Sequence, residues 1–173
     1  MPGKDIRPTS DRLRETLFNV LSSSNQGALA GATFVDLFAG TGAVGIEALS
    51  RGAGHVAFVE ASPKASALIQ GNLDALGIAE GYSILRCNVS SGIRKLDGAG
   101  TSADIVFIDP PYAEEGLYGA TLDMLDRWSG VSSGTVVIAE HAKWFEPGES
   151  AGGLLRYRKL VQGDAALSFY RRG

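Results

Sequence analysis

The sequence has few of the residues that mark disulfide-linked, metal-binding or membrane proteins. Cys87 is the single cysteine in 173 residues, so no intrachain disulfide can form. His55 and His141 stand far apart and no cysteine–histidine cluster has zinc spacing, so we predict no metal. No apolar run approaches the roughly 20 residues that span a bilayer, and no N-terminal stretch has a signal-peptide pattern. We therefore expect a cytoplasmic protein with no membrane contact.

An excess of positive charge is missing as well, because the net charge is −3. The basic residues are nevertheless unevenly placed, with one group in the first fourteen residues and another in the last eighteen. Two basic ends on an acidic body favour local contact with phosphates. An ordinary solvated surface is the alternative interpretation, and charge by itself favours it.

The chain does contain a regular alternation of strand and helix patterns. Apolar runs typical of buried strands cover residues 34–38, 55–60, 82–87, 104–108 and 135–139. Helical patterns cover residues 12–21, 43–51, 63–76, 89–96 and 117–128. Two further strands, Leu154–Val161 and Ala166–Arg171, flank a hairpin turn at Gln162-Gly163-Asp164. The alternation predicts an α/β fold with a mostly parallel, seven-stranded sheet, helices on both faces and a C-terminal antiparallel hairpin.

This pattern fits a single domain over residues 1–173, with an N-terminal helical segment (1–24) and an α/β core (33–173). In an open parallel sheet, ligands bind at the C-terminal ends of the strands. Candidate binding residues follow the first four predicted strands in turn: the glycines of Gly40–Gly45, then Glu60, Asn88 and Asp109. We expect them to lie around one site.

The glycine loop admits two interpretations. Gly40–Gly45 matches G-x-G-x-x-G, the pattern of a dinucleotide site in a nicotinamide-dependent oxidoreductase. Asp36, inside the preceding strand, instead favours a positively charged ligand, because it would repel a pyrophosphate. Together with the Phe38–Gly42 segment, Glu60 and the later Asp109–Tyr112 motif, it points to S-adenosylmethionine (SAM), a sulfonium that carries an amino acid and an adenosine. Plainer roles stay open: Asp36 could bind backbone amides, Glu60 could cap a loop, and Asn88 could cap the next helix.

Asp109-Pro110-Pro111-Tyr112 follows the fourth strand pattern. Two prolines fix φ and remove two backbone donors, which leaves a carboxylate, carbonyl oxygens and a flat ring. Such a set can hold a planar group that bears an NH2, because the oxygens accept its hydrogens and the ring stacks on its face. A simple proline turn is the alternative for these four residues alone.

Over nearly its whole length the sequence resembles the RsmD-type 16S rRNA guanine methyltransferases, which methylate the exocyclic 2-amino group of a guanine. The similar segments are Arg7–Asn19, Asp36–Gly52, Asp109–Tyr112 and Gly163–Arg171. The resemblance implies a Rossmann-like SAM-dependent methyltransferase fold with SAM as the methyl donor. It also implies rRNA, or a partly assembled small ribosomal subunit, as the partner of a monomeric enzyme.

The resemblance implies a set of site residues. The catalytic residues would be Asp109, Pro110, Pro111 and Tyr112. The SAM-binding residues would be Asp36, Phe38, Gly40, Gly42, Glu60, Ala61, Asn88, Val89 and Asp109. The candidate RNA contacts are Arg7, Thr9, Arg12, Arg158 and Arg171.

Three other hypotheses are kept. A DNA adenine or cytosine amino-methyltransferase would use the same motif on another exocyclic amine, although no DNA-recognition domain is visible in the sequence. A nicotinamide-dependent oxidoreductase would use the glycine loop. A non-catalytic RNA-binding factor would retain the fold and bind rRNA without transferring a methyl group.

Overall fold

The order of helices and strands follows the alternation that the sequence predicts. The computed structural model describes residues 10–23, 29–111 and 113–173. In these ranges the helices are α1 (Asp11–Ser23), α2 (Ala43–Ser50), α3 (Pro63–Ala75), α4 (Val89–Gly98) and α5 (Gly116–Arg127). The strands are β1 (Thr33–Leu37), β2 (His55–Val59), β3 (Tyr82–Leu85), β4 (Ala103–Ile108), β5 (Val131–Ala142), β6 (Ser150–Ala151), β7 (Leu154–Gln162) and β8 (Ala165–Arg172).

All of these strands form one sheet in the order β3-β2-β1-β4-β5-β8-β7-β6. The pairs among β1 to β5 are parallel, and β8, β7 and β6 add antiparallel pairs at the other end. The α/β fold with its antiparallel C-terminal strands is therefore confirmed. The strand order reverses between β1 and β4, and open α/β sheets bind ligands at that point.

The sheet of the described residues has eight strands where the sequence predicts seven. The additional strand is β6, in which Ser150 pairs with Leu155 and Ala151 with Leu154. A two-residue strand contains no periodic pattern, so only its pairing partner reveals it. β5 is also longer than predicted at both ends, because Val131 pairs with Ala103 and the segment up to Ala142 pairs with β8.

The core lies on both faces of the sheet. Phe34 of β1 belongs to a buried cluster with side chains of α1, α2 and α3. The next residue, Val35, points to the other face and belongs to a cluster with side chains of α4 and α5. Alternate residues of one strand thus serve opposite cores, as in a sheet that is covered on both sides.

Helix starts agree with the capping residues in the sequence. Ser10 Oγ accepts a hydrogen bond of 3.1 Å from the Leu13 N–H at the start of α1. Ser62 caps α3 in the same way, and Pro63 occupies the first helical position. The Ser62 cap fixes where α3 begins, shortly after Glu60, the residue that follows β2.

Candidate active site

A large cleft runs across the C-terminal ends of the parallel strands. Its volume is about 1010 Å³, within the range of small-molecule sites. β1, β2 and β4 each end in residues that line it, and the first turns of α2 and α4 border it. The sequence-predicted residues that line the cleft are Asp36, Phe38, Gly40, Glu60, Ala61, Asn88, Val89, Asp109, Pro110 and Pro111. The expectation that the strand ends meet at one site is met by the geometry.

The loop after β1 brings its backbone to the cleft wall through unusual torsion angles. Phe38 has φ 59°, the left-handed region that non-glycine residues rarely occupy. Gly40 has φ 59° and Gly42 has φ 81°. Such conformations cluster at ligand sites, where the surrounding structure holds them in place. The loop therefore departs from ordinary turn geometry directly beside the cleft.

The glycines of the loop have different roles. A Cβ at Gly40 would meet no atom within 4 Å, so its open side faces the cleft. Gly42 does not line the cleft; it caps α2, and a Cβ there would lie 3.1 Å from Cγ1 of Ile69. A Cβ at Gly45 would overlap the ring of Phe58. Only Gly40 thus leaves room for a ligand, while the other two allow α2 to pack closely on its neighbours.

Asp36 lies at the floor of the cleft. Its side chain is buried, with the residue 2% exposed, and its Oδ2 accepts a 3.0 Å hydrogen bond from the Gly45 N–H. Burial, together with the nearby Glu60 charge, raises the pKa of Asp36 to about 8 in spite of the lowering effect of the Gly45 hydrogen bond. A bound cation beside this carboxyl would favour its ionised form. The predicted amide contact is thus real, and the carboxyl still lines the cleft.

Glu60 connects two loops at the end of β2. Its Oε1 accepts a 2.7 Å hydrogen bond from the Gly40 N–H, and its Oε2 accepts one of 2.8 Å from the Ser62 N–H. The loop-capping role of Glu60 is therefore confirmed. Each carboxylate oxygen can accept more than one hydrogen bond, so the carboxylate can still receive a ligand hydroxyl from the cleft.

Asn88 sits at the start of α4. Its Oδ1 accepts a 2.8 Å hydrogen bond from the Ser91 N–H, so it is the N-cap of this helix. The side chain is exposed and lines the cleft beside Val89. The capping interpretation is confirmed, and contact with an adenine stays a prediction that would use the amide NH2.

The Asp-Pro-Pro segment continues β4 into the cleft. Asp109 is partly buried, Pro110 is buried and Pro111 is exposed. The register pairs Ile108 with Ala139, which places Asp109 next to Glu140 of β5. Tyr112 lies outside the described residues. The described part of the motif therefore places a carboxylate and backbone carbonyl oxygens at the end of β4, beside the point where the strand order reverses.

One wall of the cleft was not predicted from the sequence. It is formed by Leu117, Thr121 and Met124 of α5 and by Glu140 and His141 of β5. The three α5 residues recur at helical spacing, which marks a common face of the helix. Leu122 and Leu125 of the same helix belong to the core, and their pattern hides this second face. β5 has no motif at its end. Spacing marks the α5 residues as one face of a helix, but it does not distinguish a cleft face from a core face.

Two residues of this wall have unusual polar environments. The Oγ1 of Thr121 is buried and has no hydrogen-bond partner among the described residues. His141 is buried; its Nδ1 donates to the Ala142 carbonyl at 2.8 Å and its Nε2 accepts from the Ser168 hydroxyl at 2.8 Å. Burial lowers the pKa of His141, so a neutral ring with this tautomer fits both bonds.

Cys87 lies just after β3 and is partly buried on the cleft wall. Placing it inside a third strand, 82–87, was wrong, because β3 ends at Leu85 before the charged Arg86. The thiol belongs to the same wall as Asn88 and Val89. It adds a small, weakly polar surface to the cleft.

The predicted RNA contacts are spread over the molecule. Arg12 is exposed on α1. The Arg158 guanidinium lies 5.7 Å from the Phe169 ring, and that of Arg171 lies 4.6 Å from the Tyr157 ring. Since β8 runs antiparallel to β5, Arg171 lies toward the edge of the sheet opposite the cleft. Arg7 and Thr9 lie outside the described residues.

Metal-ligand clusters and membrane-spanning helices are both absent from the described ranges. No three His, Cys, Asp or Glu side chains in them are grouped as a metal ion would require. In the same ranges, no helix combines the length and apolar character needed to cross a bilayer.

Comparison with known proteins gives a consistent match. Residues 1–171 match the family described as "Conserved hypothetical protein 95". The chain is 32% identical to "Putative rRNA methyltransferase YlbH" of Bacillus subtilis (strain 168), over 98% of this chain and 90% of that protein. It is 33% identical to "Ribosomal RNA small subunit methyltransferase D" of Escherichia coli (strain K12), over 99% of this chain and 81% of that protein.

A solved structure agrees with these sequence relatives. "Putative methyltransferase yhhF" from Escherichia coli superposes with a TM-score of 0.79 at 32% identity, over 99% of this chain and 89% of that one. The match covers both the parallel strands and the C-terminal hairpin, so it extends to every element that borders the cleft.

Proposed function

Because the chain belongs to the RsmD-type family of small-subunit rRNA methyltransferases, we propose that it transfers the methyl group of SAM to the exocyclic 2-amino group of a guanine in 16S rRNA. The observation that supports this most is the meeting of two half-sites in one cleft. Asp36, Gly40 and Glu60 border one part, and Asp109 with Pro110 borders the other. The partner would be rRNA or a partly assembled small subunit in the cytoplasm, acted on by a monomer.

The residues of the cleft fit SAM. The buried Asp36 carboxyl has a raised pKa. A cationic group would stabilise its ionised form, and SAM has two such groups, the ammonium of its amino acid and the sulfonium. Glu60 at the end of β2 offers carboxylate oxygens for ribose hydroxyls. Val89 and Leu117 supply apolar walls for a flat base, and the open side of Gly40 lets the ligand approach the backbone.

The same contacts argue against a dinucleotide. A loop that cradles phosphates needs its backbone N–H groups free to donate to them. Here the Gly40 N–H donates to Glu60. A pyrophosphate would also lie beside the carboxyl groups of Asp36 and Glu60, both of which line the cleft. We therefore set the oxidoreductase hypothesis below the methyltransferase.

The chemistry of the amine explains the need for Asp109 and Pro110. The lone pair of an exocyclic amine is delocalised into the ring, which makes the nitrogen a poor nucleophile. A carboxylate oxygen and a carbonyl oxygen that accept the two N–H bonds favour a pyramidal nitrogen and aim its lone pair at the methyl carbon. SAM would supply the methyl group to this nitrogen and leave as S-adenosylhomocysteine, and the proton that the nitrogen loses would pass to the Asp109 carboxylate. Orientation and electrostatics supply the rate, and no covalent enzyme intermediate is needed.

Tyr112 would stack on the guanine, which must leave its helix or loop to enter the cleft, as bases do in other base-modifying enzymes. Arg12, Arg158 and the predicted contacts Arg7, Thr9 and Arg171 would reach phosphates of the RNA. Arg171 is the weakest of these candidates, because it lies toward the opposite edge of the sheet.

The test is to identify the methylated nucleoside. The protein is incubated with labelled SAM and small-subunit rRNA, free or in partly assembled subunits, from cells that lack the gene. We expect N2-methylguanosine after nuclease digestion and mass analysis. Label in adenine or cytosine amines, or transfer to DNA in place of rRNA, would favour the DNA-type alternative. RNA binding without any transfer would favour a non-catalytic factor.

The oxidoreductase alternative has a separate test. Calorimetric titration should show binding of S-adenosylhomocysteine, the demethylated product of SAM, and no binding of NADH. Tight NADH binding without S-adenosylhomocysteine binding would contradict the proposed cofactor.

A further inference from the structure

Trp144 is an exposed aromatic side chain at the same edge of the sheet as the cleft. It is 70% exposed, whereas Trp128, the other tryptophan of the chain, is buried. A solvent-exposed indole carries a large apolar surface, and tryptophan is typical of contacts that are completed by a partner. Its position in the fold indicates which partner.

The backbone places Trp144 on the same edge of the sheet as the cleft. β5 contributes Glu140 and His141 to the cleft wall and ends at Ala142. The chain then turns, because the Phe145 N–H donates to the Ala142 carbonyl at 3.1 Å. Trp144 is thus at the tip of a tight turn that begins where the cleft wall ends.

This turn is held from both sides. The Phe145 ring packs 5.0 Å from that of Tyr118 and 6.3 Å from that of His141, measured between centroids. On the other side, the Lys143 N–H donates to the Asp164 carbonyl at 2.9 Å. The indole is therefore presented by a fixed backbone, which reduces the conformational entropy lost when a partner binds.

The charges around the turn suit a phosphate-bearing partner. Lys143 Nζ lies 3.6 Å from Asp164, and Lys159 Nζ lies 3.9 Å from Glu146. These exposed ion pairs are long and contribute little to stability, so either ammonium group can exchange its carboxylate for a phosphate. Lys143 thus adjoins the indole in sequence, and Glu146, two residues after Trp144, brings Lys159 and Arg156 to the same turn.

A protein partner fits this surface less well. Protein-docking patches are contiguous apolar areas of several hundred Å². The residues on either side of Trp144 are the charged, exposed Lys143 and the partly buried Phe145, whose ring packs inward. A single exposed ring beside a lysine is instead the arrangement on which an unpaired base stacks.

We propose that Trp144 is a stacking platform for an unpaired RNA base that flanks the methylated nucleotide. The inference rests on the proposed function and adds the place where neighbouring nucleotides bind. Drawing one base into the cleft unstacks its neighbours, and an aromatic face outside the cleft offers one of them a new stacking partner. Because every base has a π-face, the contact tolerates any sequence.

The two tryptophans allow a direct optical test. RNA fragments containing the methylation site are titrated while intrinsic fluorescence and, separately, the anisotropy of labelled RNA are recorded. We expect RNA to quench the emission of the wild-type protein, because stacking on Trp144 deactivates its excited state. Trp144→Phe leaves only the buried Trp128, and its emission should not respond to RNA. Binding of RNA to the wild-type protein with unchanged emission would contradict the proposal.

Kinetics separate Trp144 from the catalytic residues. Trp144→Ala should raise KM for the RNA about 5- to 150-fold, the value of one lost stacking contact. It should leave kcat and the affinity for S-adenosylhomocysteine unchanged, and Trp144→Phe should restore most of the RNA affinity. The control is Leu76→Ala, which removes another exposed apolar side chain (61% exposed) at the end of α3.

Each outcome decides between specific explanations. An unchanged KM for Trp144→Ala, while the wild-type protein methylates the RNA, overturns the stacking platform and leaves the proposed function intact. A defect seen only with assembled subunits, with normal binding of naked RNA, would assign Trp144 to a ribosomal protein and also overturn it. Absence of methyl transfer by the wild-type protein would instead count against the proposed function.

Discussion

At the scale of single residues, Asp36 is a carboxyl whose ionised form is disfavoured by burial and would be stabilised by a cationic ligand. It is buried and accepts one hydrogen bond, from Gly45, and burial raises its pKa to about 8. The sequence pointed to this carboxyl from its place before the glycines. Its protonation state could not be predicted, because burial depends on the packing of α2 against β1.

The raised pKa of Asp36 predicts an unusual pH dependence of stability. Between about pH 4 and pH 8 the native ligand-free protein retains a proton on Asp36 that the unfolded chain releases, because the unfolded pKa is near 3.8. The free energy of unfolding contributed by this group therefore falls as pH rises through that window. Asp36→Asn should flatten the dependence and raise stability at pH 8, as measured by urea denaturation at several pH values. Asp123→Asn, at an exposed carboxyl on α5, is the control; an identical slope for wild type and Asp36→Asn would contradict the account.

Thr121 gives a second prediction at this scale. Its hydroxyl is buried without a partner among the described residues, and such a group costs stability. Thr121→Val replaces it with a methyl group of similar shape and should raise the free energy of unfolding by about 1 kcal/mol. Thr121→Ser keeps the hydroxyl, loses the methyl group and should be less stable than wild type. A loss of stability in Thr121→Val, measured by denaturant unfolding, would show that the hydroxyl is satisfied in solution.

At the scale of elements, the polar residues that follow the strands were predictable, and the cleft wall formed by α5 was not. Glu60, Asn88 and Asp109 were found because each polar residue ends an apolar run, and parallel strands bring such ends together. Leu117 and Thr121 sit within a helix that also contributes to the core, so periodicity could not separate the cleft face from the core face. The short β6 likewise has no pattern of its own and exists through its pairing with β7.

The space around two helical glycines, Gly45 in α2 and Gly71 in α3, predicts opposite effects for their substitution by alanine. A Cβ at Gly45 would lie 2.9 Å from Cγ1 of Val56 and overlap the Phe58 ring, so Gly45→Ala should lower the free energy of unfolding by about 1–3 kcal/mol through overpacking. Gly71, inside α3, has no atom within 4 Å of its Cβ position. Gly71→Ala should therefore raise stability by about 0.5–1 kcal/mol, the usual gain within a helix. Equal effects at the two sites, in thermal or denaturant unfolding, would contradict this packing.

At the scale of the whole molecule, the fold places the residues proposed to bind SAM and those proposed to hold the amine at one edge of the sheet. The parallel order β3-β2-β1-β4-β5 aligns the strand ends, and the antiparallel β8 and β7 extend the sheet beyond β5. The alternation of apolar runs predicted this architecture. The sequence did not predict which cations lie near the cleft, because the antiparallel direction of β8 places Arg171 away from it. The turn after β5 places Trp144 at the same edge of the sheet as the cleft.

The central claim is that Asp109 serves the amine while the rest of the cleft holds SAM. The most direct measurement compares Asp109→Ala with wild type in two assays, methyl incorporation into small-subunit rRNA and binding of S-adenosylhomocysteine. We predict that methyl transfer is abolished, because the amine loses the carboxylate that orients it, while the affinity for S-adenosylhomocysteine stays within several-fold. Full methyl transfer by Asp109→Ala would contradict the account.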